Sequence, residues 1–492
     1  MSEVPGATTR RVAIDRPTRG RSVQDPEALA GLLACPACET GTVSLSRRDG
    51  TLACRECALK FPVSQTDGAQ LPWLFAEPTA TRLDWKARYH GFLHANSLEL
   101  ERLRKAREDR QCSTTGQQRI TRLLQAREQH RSQVCAILEP LDLDGIDWPA
   151  DATDLLHGRL PRAQGLSSYR DNVFRDWSWD NGENEALLTA IGKVTATVPD
   201  AFAGSVLTLG AGACRLPYDI HRHNSTSLSV VLDLNPLLLQ VASRVIQGDT
   251  IPLWEFPVAP LNASSFAVLR ECSAPATLSS GKFCFVLGDA LNPPFVRERF
   301  DTVVTPWLID IIPQDLRSFI PRVNQCVRNG GIWVNAGSLA FFHKNETWRY
   351  SQEEVLELLE QNGFEILAAD RETVPYLQSP DSAYARFENM FSFAARKVRD
   401  VEVSPPTPYL PPWVLDSSLP VPSATETAVN SSNHLLKAQV LASIDGRRTI
   451  RQIGRIISRQ YGLGKRETIH AVTRILIEAW ERSGTGDLEK GL

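Results

Sequence analysis

Short apolar runs alternate with amphipathic stretches through the second half of the chain. Runs at 206–209, 228–234, 283–289, 300–305, 331–336 and 391–395 are rich in Val, Ile, Leu and Phe, which predicts buried strands. Between them, 314–325 and 351–362 repeat apolar residues every three or four positions, the period of a helix. The second opens with Ser351 and Glu354, a capping-box pair, and is followed by Gly363. Strands alternating with helices predict an α/β domain over 165–400: a Rossmann-like, doubly wound, mainly parallel sheet. Upstream, 98–109 and 118–128 carry helical apolar spacing among many charges, and the Ser-Thr-Thr-Gly at 113–116 breaks them. This predicts a helical segment over 84–164, read as an amphipathic hairpin that covers a neighbouring domain.

The ends read differently. Residues 1–28 are polar and rich in Arg, Thr and Pro, as in a flexible tail, and 29–76 are short segments joined by Gly and Asp turns. Pro and Ser crowd 401–432, a linker signature. Residues 433–492 form a last small unit, with a turn at 444–450 between helical patterns.

Composition narrows the class. The chain has 492 residues, too many for one ordinary core. With 42% hydrophobic and 23% charged residues it reads as globular, and a net charge of −3 gives no general attraction to nucleic acid or anionic membrane. The N-terminal stretch has no apolar core of the kind a secretory signal needs, and no apolar run reaches bilayer length. A cytoplasmic protein is expected, in which the ten cysteines are thiols or metal ligands rather than disulfides.

Four of those cysteines are patterned. Cys35 and Cys38 form one Cys-x-x-Cys pair, and Cys54 and Cys57 form another after 15 intervening residues. Each pair suits a tight knuckle that aims two thiolates at one ion, and four thiolates complete a tetrahedral Zn²⁺ site. With all four positions filled, the zinc is expected to hold the fold rather than to do chemistry.

A second pattern follows the run at 206–209. Gly210, Ala211 and Gly212 form a Gly-x-Gly turn after a strand, where the backbone can approach a ligand closely. Asp233 ends the next apolar run and can accept both hydroxyls of a ribose, although a helix cap before Asn235 and Pro236 would use the same carboxylate. Asp289 and Ala290 follow the third run, where an acid can meet an adenine amino group. A dinucleotide site needs a third glycine three positions after Gly212. Arg215 stands there, too bulky for that packing but able to pair with a carboxylate. S-adenosylmethionine is therefore the expected cofactor.

Several blocks resemble one known family. The Arg-Asp-Trp-Ser at 175–178, the glycine turn at 210–220, 251–256, Leu-Ile-Asp-Ile-Ile-Pro at 308–313 and Gly-Gly-Ile-Trp-Val-Asn-Ala-Gly at 330–337 match, in order, the carnosine N-methyltransferase family, which methylates an imidazole nitrogen with S-adenosylmethionine. The resemblance implies that Arg175, Gly210 and Arg215 hold the methionine end of the cofactor, Asp233 its ribose, and Asp289 and Ala290 its adenine. It implies that Asp310 binds the methyl acceptor and that Asn335 lies near the acceptor pocket. A carboxylate accepting one imidazole N–H would leave the other nitrogen's lone pair free and stabilise the imidazolium formed. A helix cap running towards Asp315 is the alternative for Asp310. The sequence departs from the family at Cys214, which replaces a glycine of the loop, at His343, displaced by one place, and around 384–388, where paired tyrosines are missing. These departures fall mainly on the acceptor pocket and imply an acceptor other than carnosine. His343 reads more readily as a structural histidine than as a catalyst.

Two further resemblances flank the domain. The cysteine-bearing segment, with Leu-Leu-Ala-Cys-Pro-Ala-Cys and Leu-Pro-Trp-Leu, resembles the zinc-ribbon partner protein that activates tRNA and translation-factor methyltransferases, which implies a docking or activating module. Residues 438–453 and 469–480 resemble PqqD-like domains, small winged-helix folds that hold leader peptides, and Arg447, Arg448, Arg451 and Arg455 give this unit a basic patch. The function expected from all of this is N-methylation of an imidazole-type ring nitrogen in a small molecule or peptide, with a peptide or protein partner for the C-terminal unit as a further possibility. A methyltransferase for another metabolite is the enzymatic alternative. A non-catalytic scaffold with a degenerate fold, signalled by Cys214, is the other.

Overall fold

The computed structural model describes residues 29–484 except 30, 39–42, 46–50, 67–68, 110–111, 148–155, 157, 162–163, 169, 225, 279–281, 344, 411, 417, 420–435 and 446. The expected tail at 1–28 and residues 411, 417 and 420–432 of the expected linker lie outside the described residues. The chain divides into two compact units, Met1–Pro411 and Pro412–Leu492.

The first unit is built on one nine-stranded sheet. Its central strands are β6 (Ser205–Leu209), β7 (Leu228–Asp233), β10 (Lys282–Gly288), β11 (Phe300–Pro306) and β12 (Val327–Gly337). They pair in parallel, in the order β12-β11-β6-β7-β10. Each falls on an expected apolar run, and their residues are buried almost throughout, because helices cover both faces. Beyond β12, strands β14 (Phe387–Lys397) and β13 (Phe364–Pro375) add antiparallel. The strand order reverses at β6, with β7 and β10 on one side and β11 and β12 on the other. In open α/β sheets, ligands sit at the carboxyl ends of the strands around such a reversal.

Side chains alternate between the two sheet faces and so join different clusters. Val231, Phe283 and Phe285 pack with α3 (Arg170–Trp177), α6 (Pro236–Ile246) and residues of α1 (Pro78–Arg107) and α2 (Thr114–Leu138). Leu207, Leu232, Val286 and Val303 pack with α7 (Leu316–Cys326) and α8 (Gln352–Gln361). The expected helical hairpin is present: Ser113 caps α2 by accepting from Gly116 N–H, so the break falls where the polar residues put it. Ser351 and Glu354 form the expected capping box on α8.

The cysteine segment is not a separate bead. Its short strands are β1 (Val43–Leu45), β2 (Leu52–Cys54) and β3 (Lys60–Phe61), followed by the hairpin β4 (Val63–Thr66) and β5 (Ala69–Leu74). Strand β5 pairs in parallel with β10 through Trp73↔Leu287 and Leu74↔Gly288, which extends the sheet. Leu33, Cys35, Phe61 and Leu74 share one apolar cluster with Leu207, Val230 and Val286 of the central strands. The ribbon therefore closes an edge that would otherwise present unpaired backbone groups.

The segment past β14 is also anchored. Gln314 Nε2 donates to the Thr407 carbonyl at 2.6 Å, and Tyr409 packs into the first unit. In the second unit, helices Ile450–Tyr461 and Lys465–Gly484 close over Val440, Ile453, Ile457 and Val472. Gly454 permits their approach, since a Cβ there would meet Ile469 Cγ1 at 2.7 Å. Among its described residues this unit holds helices and no strand, so the expected wing has no counterpart there.

Trp73 is fully buried, and its Nε1–H donates to Ser64 Oγ at 3.2 Å. Trp73→Ala is expected to cost the first unit about 3–5 kcal/mol, seen as a lowered denaturation midpoint, with Trp73→Phe losing clearly less.

Candidate functional site

The carboxyl ends of β6, β7, β10 and β11 open into one cavity of about 500 Å³. The glycine turn after β6 forms its floor. Gly210 and Gly212 have φ of +66° and +58°, the left-handed region that glycine enters without strain. A side chain at Gly210 would also press a Cβ to 2.8 Å from Leu308 Cδ1. Asp233 ties this turn to β7: its Oδ2 accepts Gly212 N–H at 2.8 Å, and its Oδ1 accepts Asn235 N–H at 2.8 Å. The cap of α6 is Asn235 rather than Asp233, since Asn235 Oδ1 accepts Leu237 N–H. Asp233 lies on the cavity wall, where burial pushes its carboxyl up to about 6.

Helix α3 holds the turn from the other side. Trp177 Nε1–H donates to the Ala213 carbonyl at 2.7 Å, and Asp176 Oδ2 accepts Arg215 N–H at 3.4 Å. Arg175, Gly210, Ala211, Gly212, Asp233, Asp289, Ala290 and Asp310 all line the cavity. Arg175 Nε is held by Asp176 Oδ1 at 2.7 Å.

Two expected residues stand off the wall. Arg215 sits on α5 (Arg215–His223), with Nε on Asp219 Oδ2 at 2.7 Å and Nη1 on the Asp176 carbonyl at 2.8 Å, so its guanidinium braces the turn from behind. Asn335 is fully buried in the sheet. It accepts from Thr305 Oγ1 at 2.9 Å and donates to the Phe391 carbonyl at 3.1 Å, because its strand position points into the layer and not into the cavity. Cys214 is off the wall too. It takes the glycine-like φ of +69° and buries its side chain in the cluster of Trp177 and Tyr218, so it does not narrow the cavity. Its cost is backbone strain of about 1–2 kcal/mol.

Asp310 is 8% exposed and accepts a hydrogen bond from the Ser338 hydroxyl. It does not cap α7, a role taken by Asp315, whose side chain accepts from Arg317 N–H. Burial pushes the Asp310 carboxyl up to about 6. Trp307, Phe342, His343 and Tyr376 share the cavity wall with it, and the Trp307 and Tyr376 rings lie 4.5 Å apart. Tyr376 is presented by a loop whose backbone N–H groups at Leu377 and Gln378 both donate to the Glu183 carboxylate at 2.7 Å. Tyr376 and Tyr409 carried no sequence signal of their own: the first follows an unrecognised edge strand, and the second lies in a Pro-rich stretch. Asp176 stood in the Arg-Asp-Trp-Ser block, which gave it no role.

The four cysteines converge as their spacing requires. Their sulfurs lie within 4.8 Å of one another, with Cys35 to Cys57 at 3.7 Å and Cys38 to Cys54 at 3.6 Å. A tetrahedron with Zn–S bonds of about 2.3 Å has edges of about 3.8 Å, so the set fits zinc. Cys54 Sγ also accepts the Glu56 and Cys57 N–H groups. The knuckle reaches the cavity's far wall: the Pro36 carbonyl accepts Asn292 Nδ2 at 2.8 Å, and Ala34 N–H donates to the Pro294 carbonyl at 3.0 Å. Asp289, Ala290 and Leu291, just before these contacts, line the cavity.

A glycine turn, an acid at the end of β7 and an acid after β10, all facing one cavity, fit a nucleoside with an attached amino-acid chain. This fold and site define an S-adenosylmethionine-dependent methyltransferase, and the degenerate-scaffold alternative falls. Residues 159–399 match the sequence model of the family described as Carnosine N-methyltransferase, and residues 27–65 match that of Trm112p-like protein. The chain thus carries a methyltransferase domain related to carnosine N-methyltransferase and a Trm112p-like zinc ribbon. A Carnosine N-methyltransferase of Schizosaccharomyces pombe is 23% identical over 267 residues, which cover 46% of this chain and 69% of that protein. Among solved structures, a complex of the Haloferax volcanii Trm112 methyltransferase activator with a methyltransferase is 14% identical, covers 47% of this chain and 97% of that one, and has a TM-score of 0.31. An S-adenosylmethionine dependent methyltransferase from Mesorhizobium loti is 15% identical, covers 43% and 100%, and has a TM-score of 0.29. No helix among the described residues is long and apolar enough to cross a membrane.

Two outcomes are expected. Stripping zinc with a chelator, or Cys54→Ser, lowers the thermal midpoint and weakens S-adenosylhomocysteine binding several-fold, about 1 kcal/mol, through the 289–296 loop; unchanged calorimetric affinity would separate ribbon from cavity. Because an ionised Asp233 is the better acceptor for ribose hydroxyls, affinity rises as pH climbs from 5 through about 6 and levels above 7. Asp233→Asn binds weakly, with a reduced rise.

Proposed function

We propose that this methyltransferase acts on a ring nitrogen of an imidazole, in a small molecule or a peptide, and that Asp310 binds the acceptor. The carrying observation is a buried carboxylate on the cofactor cavity, beside Trp307 and Tyr376 and hydrogen-bonded to the Ser338 hydroxyl. S-adenosylmethionine, when bound, supplies an electrophilic methyl group. Arg175 and Gly210 would hold its amino-acid end, Asp233 its ribose, and Asp289 and Ala290 its adenine edge.

The remaining work is orientation of the acceptor. An ionised Asp310 accepts one imidazole N–H, which turns the other nitrogen's lone pair towards the methyl group. Transfer of the methyl group to that nitrogen would leave positive charge on the ring, and the fixed Asp310 carboxylate would stabilise it. The proton it already holds by hydrogen bond can then leave. Flat aromatic walls suit a flat ring, and the arrangement of reacting atoms is most of what a displacement of this kind needs. Phe342 is largely exposed at this wall, which supports an acceptor that extends out of the cavity, as a peptide would. The PqqD-like resemblance of the C-terminal unit and its exposed Arg447, Arg451 and Arg455 support the same reading of a peptide partner.

Methylation of imidazole dipeptides and histidine peptides with labelled cofactor is the test. Asp310→Asn should lower kcat/KM by about 100-fold or more, and the fall in rate expected below about pH 6 should become shallower, since only protonation of the imidazole acceptor then remains. Product on oxygen or carbon acceptors alone, or full activity in Asp310→Asn, would overturn the proposal.

A further inference from the structure

Tyr409 lies outside the 159–399 stretch that matches the methyltransferase family, in a Pro-rich segment that carries no strand or helix at that point. It nonetheless forms part of the cavity wall, beside Asp289, Ala290 and Leu291. Its hydroxyl donates to Asp289 Oδ2 at 2.7 Å, while Asp289 Oδ1 accepts Leu291 N–H at 2.9 Å. The segment is pinned on the way in: the Thr407 carbonyl accepts Gln314 Nε2 at 2.6 Å, and the Ser404 carbonyl accepts the guanidinium of the buried Arg322 on α7. A tyrosine is placed against a cavity at a cost unless its hydroxyl finds a partner, and here the partner is the one acid after β10.

The chemistry of that pair is selective. An ionised carboxylate only accepts hydrogen bonds, and each of its oxygens has room for two. Oδ2 can therefore hold Tyr409 and still receive an exocyclic amino group of a base. It repels an oxo group in the same place. Fixing the carboxylate with two donors sets its orientation before any ligand arrives, which lowers the ordering cost of binding. We infer that Tyr409 is a further cofactor-site residue, which holds Asp289 so that the cavity selects adenine, with its amino group, over an oxo base. The inference rests on the reading of this cavity as an S-adenosylmethionine site.

Calorimetric titration of the full-length protein with S-adenosylhomocysteine, and with its hypoxanthine counterpart S-inosylhomocysteine, tests it. The wild type should prefer the adenine ligand by about tenfold or more. Tyr409→Phe, which keeps the ring and loses only the hydroxyl, should weaken the adenine ligand by about tenfold, leave the hypoxanthine ligand little changed, and so erase most of the preference. In an Asp289→Asn background the same change should have no further effect on the preference. If Tyr409→Phe retains wild-type preference, whether at full affinity or with both ligands weakened equally, the inference is overturned while the cofactor reading stands. If the folded wild type binds neither ligand, the cofactor reading itself fails and the inference goes with it.

Discussion

The pairing of β5 with β10 is the contact on which the rest of the first unit depends. Strand β10 is buried along nearly its whole length, and its carboxyl end carries Gly288, Asp289 and Ala290 into the cavity. A parallel strand at a sheet edge leaves a row of backbone donors and acceptors open to water or to another chain. Here the ribbon's last strand takes that row through Trp73 and Leu74, and the hairpin partner β4 becomes the edge instead. The zinc ligands hold the ribbon, and the ribbon holds both the strand and the loop that follows it. The Trm112p-like ribbon and the methyltransferase domain of this chain thus share one sheet.

The cavity is organised by carboxylates whose burial is offset in different ways. Asp233 accepts two backbone N–H groups, Asp289 accepts Tyr409 and Leu291, and Asp310 accepts Ser338. All three are raised by burial, which means that each gains from a ligand able to donate hydrogen bonds to its charged form. Ribose hydroxyls, an adenine amino group and an imidazole N–H are such donors. The second layer is equally ordered: Arg215 and Trp177 brace the glycine turn from behind the cavity wall, and Asp176 braces it from the wall itself.

Local patterns on one strand or turn were legible in the chain. The apolar runs, the Gly-x-Gly turn, the acids that close β7 and β10, and the paired Cys-x-x-Cys spacing each depend on neighbours a few residues away, so the sequence displays them directly. Arg215 and Asn335 show where that logic stops. Both stand in motifs that resemble a family's site. Yet which way a side chain leaves its element depends on partners far along the chain: the Asp176 carbonyl, beyond the neighbouring Asp219, for one, and Thr305 and the Phe391 carbonyl for the other.

By itself, then, the sequence determined the class of fold, the zinc ligands and the acids that face the cavity, because strand period, glycine freedom and thiolate spacing are properties of short segments. Only the tertiary structure decided that the ribbon would become a strand of the methyltransferase sheet. The same holds for Trp307 and Tyr376 meeting beside Asp310, and for Tyr409 returning from a Pro-rich stretch to Asp289. These are contacts between segments separated by tens to hundreds of residues. Their free energy comes from desolvated surface and hydrogen bonds that exist only once the chain has closed on itself.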